Sequence, residues 1–168
     1  MIRWAVRGAL GIVVVVALAT AVGGMLPVAH TASRSALVAT SPARAHALLA
    51  HVAGYPRWWS EVSRVDVLPP VGGRPRFRQH LSTGAVVFEI VQSIPAARVV
   101  SRIADPDQPF GGTWTVVLAP EAGGTRVTTT EDGEVYNPLF RFLSHYVFSQ
   151  TATMESCLAA LAAVDGIK

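Results

Sequence analysis

Glu131 is the side chain whose position in the sequence most strongly suggests chemistry. It lies in an alternating stretch, in phase with Val127 and Val135, so we expect it on the apolar side of a strand. A carboxylate in apolar surroundings must be paired with a cation, or become protonated because it loses its hydration. It would then anchor a ligand hydroxyl or amine, or act as a general base. A structural ion pair with Arg141 is the interpretation we favour, since unpaired buried charges are rare.

The other reactive side chains form no catalytic or metal-binding pattern. His46 and His51 lie five residues apart, on different faces of a predicted helix, and no carboxylate completes a zinc site. Ser144 and His145 are adjacent in a helical pattern and therefore point apart. Cys157 is the only cysteine, so no disulfide forms within the chain, and its apolar neighbours indicate an inert buried thiol. We expect no metal and no cofactor, and the sequence favours a binding function over a named reaction.

The elements that must position these residues follow an α+β order, with strands first and a long helix last. Alternating segments predict seven strands, at residues 33–40, 62–68, 74–81, 85–93, 98–104, 110–118 and 124–135. Ser41-Pro42 begins a short helix over residues 43–52, and Asn137-Pro138 begins a helical pattern that continues unbroken to about Ala163. Turn-type connections indicate an antiparallel sheet, which we expect to curve around the last helix.

The order and spacing of several short motifs resemble the SRPBCC superfamily, whose members have the START-like or helix-grip fold. The motifs are Ser41-Pro42-Ala43-Arg44, Tyr55-Pro56-Arg57-Trp58-Trp59, Pro109-Phe110-Gly111-Gly112-Thr113-Trp114, Gly124-Thr125-Arg126-Val127 and Glu131-Asp132-Gly133-Glu134-Val135-Tyr136-Asn137-Pro138. The chain is most similar to the bacterial branch called polyketide cyclase/dehydrase and lipid transport, over residues 33–165. The resemblance implies a curved sheet that grips the C-terminal helix, and it does not specify one function.

In a helix-grip domain, the concave face of the sheet and the inner face of the last helix line a pocket, often for an apolar ligand. The residues that we expect to contact a ligand there are Trp59, Phe77, Gln79, Phe88, Ile90, Trp114, Glu131, Tyr146 and Met154. We assign to the same interior Trp58, Leu81, Val86, Gln92, Val116, Leu118, Val127, Thr129 and Val135. Large apolar residues at these spacings also fill solid cores, so both interpretations stay open.

The N-terminal residues 8–26 carry no charge, and as a helix they would span roughly 28 Å, about one hydrocarbon core. Arg3 and Arg7 precede them, so the positive-inside rule places residues 1–7 in the cytoplasm and the domain on the extracytoplasmic side of the cytoplasmic membrane. We favour this single-pass anchor, with residues 27–32 as a linker, over a cleaved signal peptide, because the candidate cleavage sites at Pro27-Val28-Ala29 and His30-Thr31-Ala32 are poor. A buried core helix fits poorly, since all faces are apolar.

The charge balance bears on the partners. Residues 27–168 hold 12 Lys or Arg and 11 Asp or Glu, so nucleic acid is not an implied partner. Arg74, Arg76 and Arg78 project to one side of a strand, where they form a solvated face or contact anionic lipid head groups.

The most consistent function is therefore a membrane-anchored domain that binds a lipid or another hydrophobic small molecule. One alternative is a cyclase-, aromatase- or hydrolase-like enzyme that uses Glu131. The other is a scaffold in a cell-envelope complex whose pocket is filled by side chains.

Overall fold

A seven-stranded antiparallel sheet organises the chain, whose computed structural model describes residues 2–147 and 151–164, with side chains from Leu10 onward. The strands are β1 (Ala29–Val38), β2 (Arg64–Val71), β3 (Arg74–Leu81), β4 (Gly84–Ile94), β5 (Arg98–Ile103), β6 (Phe110–Glu121) and β7 (Gly124–Val135). Their order across the sheet is β1-β7-β6-β5-β4-β3-β2, and every neighbouring pair is antiparallel. The predicted antiparallel sheet of seven strands is confirmed.

β1 begins at Ala29, four residues before its predicted start. Residues 29–32 therefore belong to the sheet instead of a linker, and they pair with residues 134–131 of β7. The Thr31 hydroxyl also donates a hydrogen bond of 2.8 Å to Asp132 across this pair. The segment has few strand-forming residues, so the sequence did not reveal it; pairing with β7 supplies its structure.

A short helical segment connects β1 to β2 and packs against the concave face of the sheet. It consists of α2 (Pro42–Ala50), a 3-10 turn (Val52–Gly54) and α3 (Tyr55–Trp58). At the start of α2, the Ser41 hydroxyl accepts a hydrogen bond of 3.3 Å from the Arg44 backbone N–H, as the N-cap prediction requires.

The C-terminal segment forms two helices, α4 (Pro138–Tyr146) and α5 (Ala152–Ala163), so the prediction of one unbroken helix is wrong. Val147 and Thr151 lie outside both helices, and residues 148–150 lie outside the described part of the chain. The two helices have different partners: α4 packs on the N-terminal helix, whereas α5 buries one side against the domain core. One straight helix could not serve both contacts.

The hydrophobic core lies between the concave sheet face and the helices α2, α3 and α5. Its fully buried members include Val38, Val62, Val127, Thr125, Thr129, Met154 and Leu161. Side chains from six strands and from α2, α3 and α5 contribute to one continuous buried cluster. The sheet and α5 together therefore position everything that lies inside.

Helix α1 (Ile2–Met25) contacts the domain through α4, and from Leu10 onward its large apolar side chains are exposed. The contact is close at Gly23, where an added Cβ would overlap the Pro138 carbonyl. Among the described residues, no helix is both long enough and apolar enough to cross a membrane. The transmembrane anchor predicted over residues 8–26 is thus not supported by the described helices.

Candidate functional site

A cavity of about 70 Å³ lies inside the domain, between the concave sheet face and the helical layer. It is lined by Leu49, Tyr55, Trp59, Phe77, Gln79, Leu81, Phe88, Ile90, Val99, Ser101, Trp114, Val116, Thr129, Thr153 and Cys157. Most of these side chains are aromatic or aliphatic, and a few hydroxyl and amide groups interrupt them. This mixture is typical of a site for an apolar molecule with a limited number of polar contacts.

Strand pairing explains why residues far apart in the sequence meet at this cavity. Phe77 and Phe88 are direct partners on β3 and β4, and their rings stack with centroids 5.5 Å apart. Six of the predicted ligand-contacting residues line the cavity: Trp59, Phe77, Gln79, Phe88, Ile90 and Trp114. Their role as ligand contacts stays a prediction.

A bulge in β4 changes which residues face inward. The register between β4 and β5 shifts between Ile90 and Gln92. Ile90 is buried in the cavity wall, whereas Gln92 is exposed, so its predicted interior position is wrong. Strict alternation cannot anticipate an extra residue in one strand.

Met154 and Tyr146 do not line the cavity, although we expected both in its wall. Met154 is fully buried in α5 but packs outside the lining. Tyr146 is 59% exposed on α4, where its ring packs against Phe142 and His145 with centroids 5.1 Å and 4.6 Å away. The reason is the division of the C-terminal segment, because α4 packs on α1 and not on the cavity side of the sheet.

Among the described residues of the cavity wall, none is a charged nucleophile. Burial raises the pKa of the Cys157 thiol to about 12, so the thiol stays protonated at neutral pH. Burial also raises the pKa of Tyr55, whose hydroxyl donates a hydrogen bond of 2.7 Å to the Leu49 carbonyl. Within residues 10–147 and 151–164, no group of three or more His, Cys, Asp or Glu side chains could hold a metal ion.

Glu131 lines a separate space of about 200 Å³ beneath α4, which we call the polar pocket. The pocket is lined by His30, Phe110, Gly111, Glu131, Glu134, Val135, Phe140 and Ser144. Trp114 lies directly across from Glu131 in the pairing of β6 with β7, and it also lines the central cavity. The indole of Trp114 therefore stands between the two spaces.

The carboxylate of Glu131 lies near His30 and not near Arg141. The distance from Glu131 Oε1 to His30 Nε2 is 3.7 Å, and the Glu131 side chain is 20% exposed. The guanidinium of Arg141 instead donates to the Leu26 carbonyl at 2.9 Å and to the Tyr136 carbonyl at 3.4 Å. The ion pair that we favoured from the sequence is therefore wrong, because Arg141 holds the chain that leads out of α1.

Burial is the main influence on the ionisation of Glu131. Loss of hydration raises the pKa of its carboxyl, and a hydrogen bond from the Trp114 side chain acts in the opposite direction. A carboxyl of this kind suits proton transfer or neutral hydrogen bonding better than a fully solvated one.

On the outer face of the sheet, Glu89 has a lowered pKa, in contrast to the raised pKa of Glu131. Its carboxylate is only 8% exposed and accepts hydrogen bonds of 3.1 Å from Arg74 and from Arg102. The hydrogen bond from Arg74 contributes most to lowering the pKa of Glu89, and Arg102 adds to it. Part of the predicted arginine face on β3 thus serves to neutralise a buried acid.

A wide depression on the surface borders the polar pocket, with which it shares Phe110, Gly111 and Glu134. It measures about 680 Å³ and is lined by the loop after β5 and by residues of β6 and β7, including Asp105, Gln108, Asp132 and Tyr136. It is wide and polar, and it does not reach the aromatic interior, so we do not assign the ligand to it.

Sequence reasoning missed several residues of the two spaces. His30 was placed in a linker because β1 was predicted to start too late. Val99 and Ser101 line the cavity from β5, and alternation along that strand would have found them. Thr153 and Cys157 could not be assigned without knowing how α5 is rotated.

Substitution of Glu131 and of Glu89 by Gln should change stability in opposite directions. Glu131 has a raised pKa in the folded state, so Glu131→Gln should increase the free energy of unfolding at neutral pH. This gain should vanish as the pH falls through the folded pKa towards the ordinary value of 4.5, where the native carboxyl is protonated as well. Glu89 has a lowered pKa, so Glu89→Gln should reduce the free energy of unfolding above pH 4.5, and the loss should shrink as the pH falls through the folded pKa.

Urea unfolding between pH 3 and pH 8 would measure both effects. The comparison of Glu131 with Gln should be repeated in a His30→Gln background, so that titration of the neighbouring imidazole does not contribute to the change in the free energy of unfolding. A loss of stability for Glu131→Gln at neutral pH in both backgrounds would contradict the assignment of a burial penalty to this carboxyl.

Comparison with solved structures shows the fold. A START superfamily protein from Mycobacterium smegmatis matches with a TM-score of 0.64 and 19% identity, over 83% of this chain and 99% of the other. The Zhui aromatase/cyclase from Streptomyces sp. R1128 matches with a TM-score of 0.62 and 14% identity, over 80% and 92%. The di-domain ARO/CYC StfQ from the steffimycin biosynthetic pathway matches with a TM-score of 0.66 and 13% identity, over 81% of this chain and 50% of the other. The chain thus spans about half the length of StfQ.

At these identities the similarity establishes the helix-grip architecture, with its curved antiparallel sheet and C-terminal helices, and not an activity. No functionally curated protein matches the sequence. The family described as polyketide cyclase / dehydrase and lipid transport matches residues 29–164, nearly the whole domain. The chain belongs to this polyketide cyclase/dehydrase and lipid transport family.

Proposed function

We propose that this protein binds a small hydrophobic molecule in the central cavity. The observation that carries the proposal is an internal space walled mainly by aromatic and aliphatic side chains from β3, β4, β5, β6, α2 and α3. Transfer of an apolar ligand into such a space releases roughly 25 cal/mol for each Å² of apolar surface removed from water. The hydroxyls of Ser101, Thr129 and Thr153 can orient a ligand without opposing its burial.

The size of the cavity limits the ligand. About 70 Å³ is far below the roughly 300–1,000 Å³ of drug-sized sites, so the structure has room for one small ring or a short chain segment. A larger ligand, including a fused ring pair such as naphthalene, requires Trp59, Trp114 or α5 to move outward. The family includes lipid transport in its description, and similar structures carry the names aromatase/cyclase and norcoclaurine synthase, which supports an organic ligand.

Filling the cavity should weaken ligand binding. Ser101→Leu places a larger apolar side chain in the space, whereas Ser35→Leu makes the same change at an exposed position of β1. We expect the full chain in detergent micelles to bind naphthalene in equilibrium dialysis. Ser101→Leu should reduce the affinity at least tenfold, because the leucine side chain takes the place of part of the ligand, and Ser35→Leu should leave it unchanged. Native mass spectrometry of the unmodified chain would identify any apolar molecule that co-purifies.

If the unmodified chain and Ser101→Leu bind naphthalene equally well, the ligand does not occupy the central cavity. Absence of binding by any apolar probe would support the third interpretation, a scaffold whose pocket is filled. Circular dichroism of both variants shows whether they keep the fold.

A second candidate function is an enzyme of the cyclase or aromatase kind that uses Glu131 as a base. One observation favours it: the sequence offered no second catalytic residue beside Glu131, and the structure places the His30 imidazole 3.7 Å from its carboxylate. A carboxyl with a raised pKa beside an imidazole can remove a proton next to a ketone and return it.

Proton exchange at 2-tetralone tests this candidate. If the protein is such an enzyme, it should accelerate deuterium incorporation next to the carbonyl in D₂O, and Glu131→Gln should lower that rate by roughly 10²–10⁴-fold. Glu121→Gln, at an exposed site of β6, should leave the rate unchanged. An exchange rate equal to that of buffer, or one that Glu131→Gln does not affect, would rule the candidate out for this substrate class.

We also propose that α1 attaches the protein to the cytoplasmic membrane, with residues 1–7 in the cytoplasm and the domain outside. The proposal rests on the uncharged sequence of residues 8–26, on Arg3 and Arg7 before it, and on exposed apolar side chains. Those side chains are Leu10, Ile12, Val13, Val14, Val15, Val16, Leu18 and Val22, each at least 40% exposed. An exposed apolar surface of this size is typical of a site that contacts a membrane or another protein.

Alkaline carbonate extraction of membranes that contain the full chain tests the attachment. The chain should stay in the membrane pellet, and Val14→Arg with Val15→Arg should release it, since each central arginine costs roughly 2.5–3.5 kcal/mol on insertion. External protease should digest the domain in spheroplasts. Recovery of the unmodified chain in the extract would contradict the proposal.

A further inference from the structure

We propose that the polar pocket beneath α4 binds the uncharged polar group, a hydroxyl or carbonyl, of the same ligand whose apolar part occupies the central cavity. This inference rests on the proposed binding function and adds the chemical class of the ligand. The ligand is then an amphiphile with a neutral hydrogen-bonding group at one end.

Gly133 is the first evidence that the space between His30 and Glu131 serves a binding function. It lies inside β7 with no positive φ, so its backbone does not require glycine, and glycine weakens a strand interior. An added Cβ would lie 2.6 Å from His30 Nε2 and 3.1 Å from Glu131 Oε1. The missing side chain therefore leaves the space in which the His30 imidazole approaches the Glu131 carboxyl.

The groups around this space suit a neutral polar partner. Glu131 accepts or donates a hydrogen bond depending on its protonation, and the His30 ring offers one donor and one acceptor when neutral. The Ser144 hydroxyl donates to the Arg141 carbonyl at 3.1 Å, which leaves its oxygen free to accept. A ligand hydroxyl can therefore donate to one of these groups and accept from another.

The remaining walls disfavour an anionic ligand. Phe110, Val135 and Phe140 give the pocket an apolar side. An anionic ligand would meet the carboxyls of Glu131 and Glu134, and no Lys or Arg is among the described residues that line the pocket. Burial of a further negative charge here would cost more than a neutral hydrogen bond returns.

The geometry of β7 places the polar pocket next to the central cavity. Thr129 lines the cavity and Glu131 lines the pocket, and two residues along a strand are about 7 Å apart. Trp114 lines the cavity and lies directly across from Glu131 in the pairing of β6 with β7. The two spaces have no described wall residue in common, so a ligand about one fused ring pair long reaches both when the Trp114 indole moves aside.

Three naphthalene derivatives test the inference with the full chain in detergent micelles. Equilibrium dialysis, corrected by micelles alone, would compare naphthalene, 2-naphthol and 2-naphthoate. One additional hydrogen bond should make 2-naphthol bind roughly two- to tenfold more tightly than naphthalene. The anionic 2-naphthoate should bind more weakly than naphthalene.

Gly133→Ala should remove this preference, because the new methyl group occupies the space between His30 and Glu131. The affinity ratio of 2-naphthol to naphthalene should fall to about one, while naphthalene affinity stays the same. Gly24→Ala is the matched control, since a Cβ there meets nothing within 4 Å. If Gly133→Ala does not fold, Glu131→Leu serves as the second variant with the same expected loss of preference.

The outcomes separate the inference from the function on which it rests. Equal binding of naphthalene and 2-naphthol by the unmodified chain overturns the inference and leaves the hydrophobic site intact. A preference for 2-naphthol that persists in Gly133→Ala and Glu131→Leu also overturns it. Failure of all three compounds to bind overturns the proposed function itself, and the inference with it.

Discussion

The burial of α5 against the concave face of the sheet is the contact on which the interior depends. Met154, Cys157, Leu158 and Leu161 are buried along this helix, which packs on β1, and the last three share a buried cluster with side chains of the central strands. Because strands alternate their side chains, the face that α5 covers collects apolar residues from several strands at once. Arg34 of β1 fixes the start of the helix through a 2.7 Å ion pair with Glu155. Without α5, the aromatic residues of the cavity would lie open to water.

The same alternation places a polar site beside an apolar one. Along β7 the inward positions change from Val127 and Thr129 to Glu131 and Gly133. Within a few residues the strand therefore passes from the buried core to the polar pocket. The Trp114 side chain on β6 lies between the central cavity and the polar pocket. The binding and enzyme proposals therefore share one geometry. They differ only in whether Glu131 holds a polar group or moves a proton.

Sequence patterns were sufficient where a residue's environment is set by local periodicity. The seven strands and the inward positions of Phe77, Phe88 and Trp114 follow from alternation alone, and the family resemblance supplies the way in which they close around a helix. The failures have long-range causes. The partner of Glu131 depends on β1, whose first residues become a strand only through pairing with β7. Tyr146 is exposed because the C-terminal segment divides and α4 packs on α1. The bulge that turns Gln92 outward is a property of two strands together.

The central claim is that an apolar molecule enters the cavity under α5, and methyl NMR of the full chain in deuterated detergent tests it most directly. With naphthalene added, we expect intermolecular nuclear Overhauser effects from the ring protons to the methyl groups of Ile90, Val99 and Val116, which line the cavity. Effects confined to the exposed methyl groups of α1, with none at these three residues, would contradict the claim.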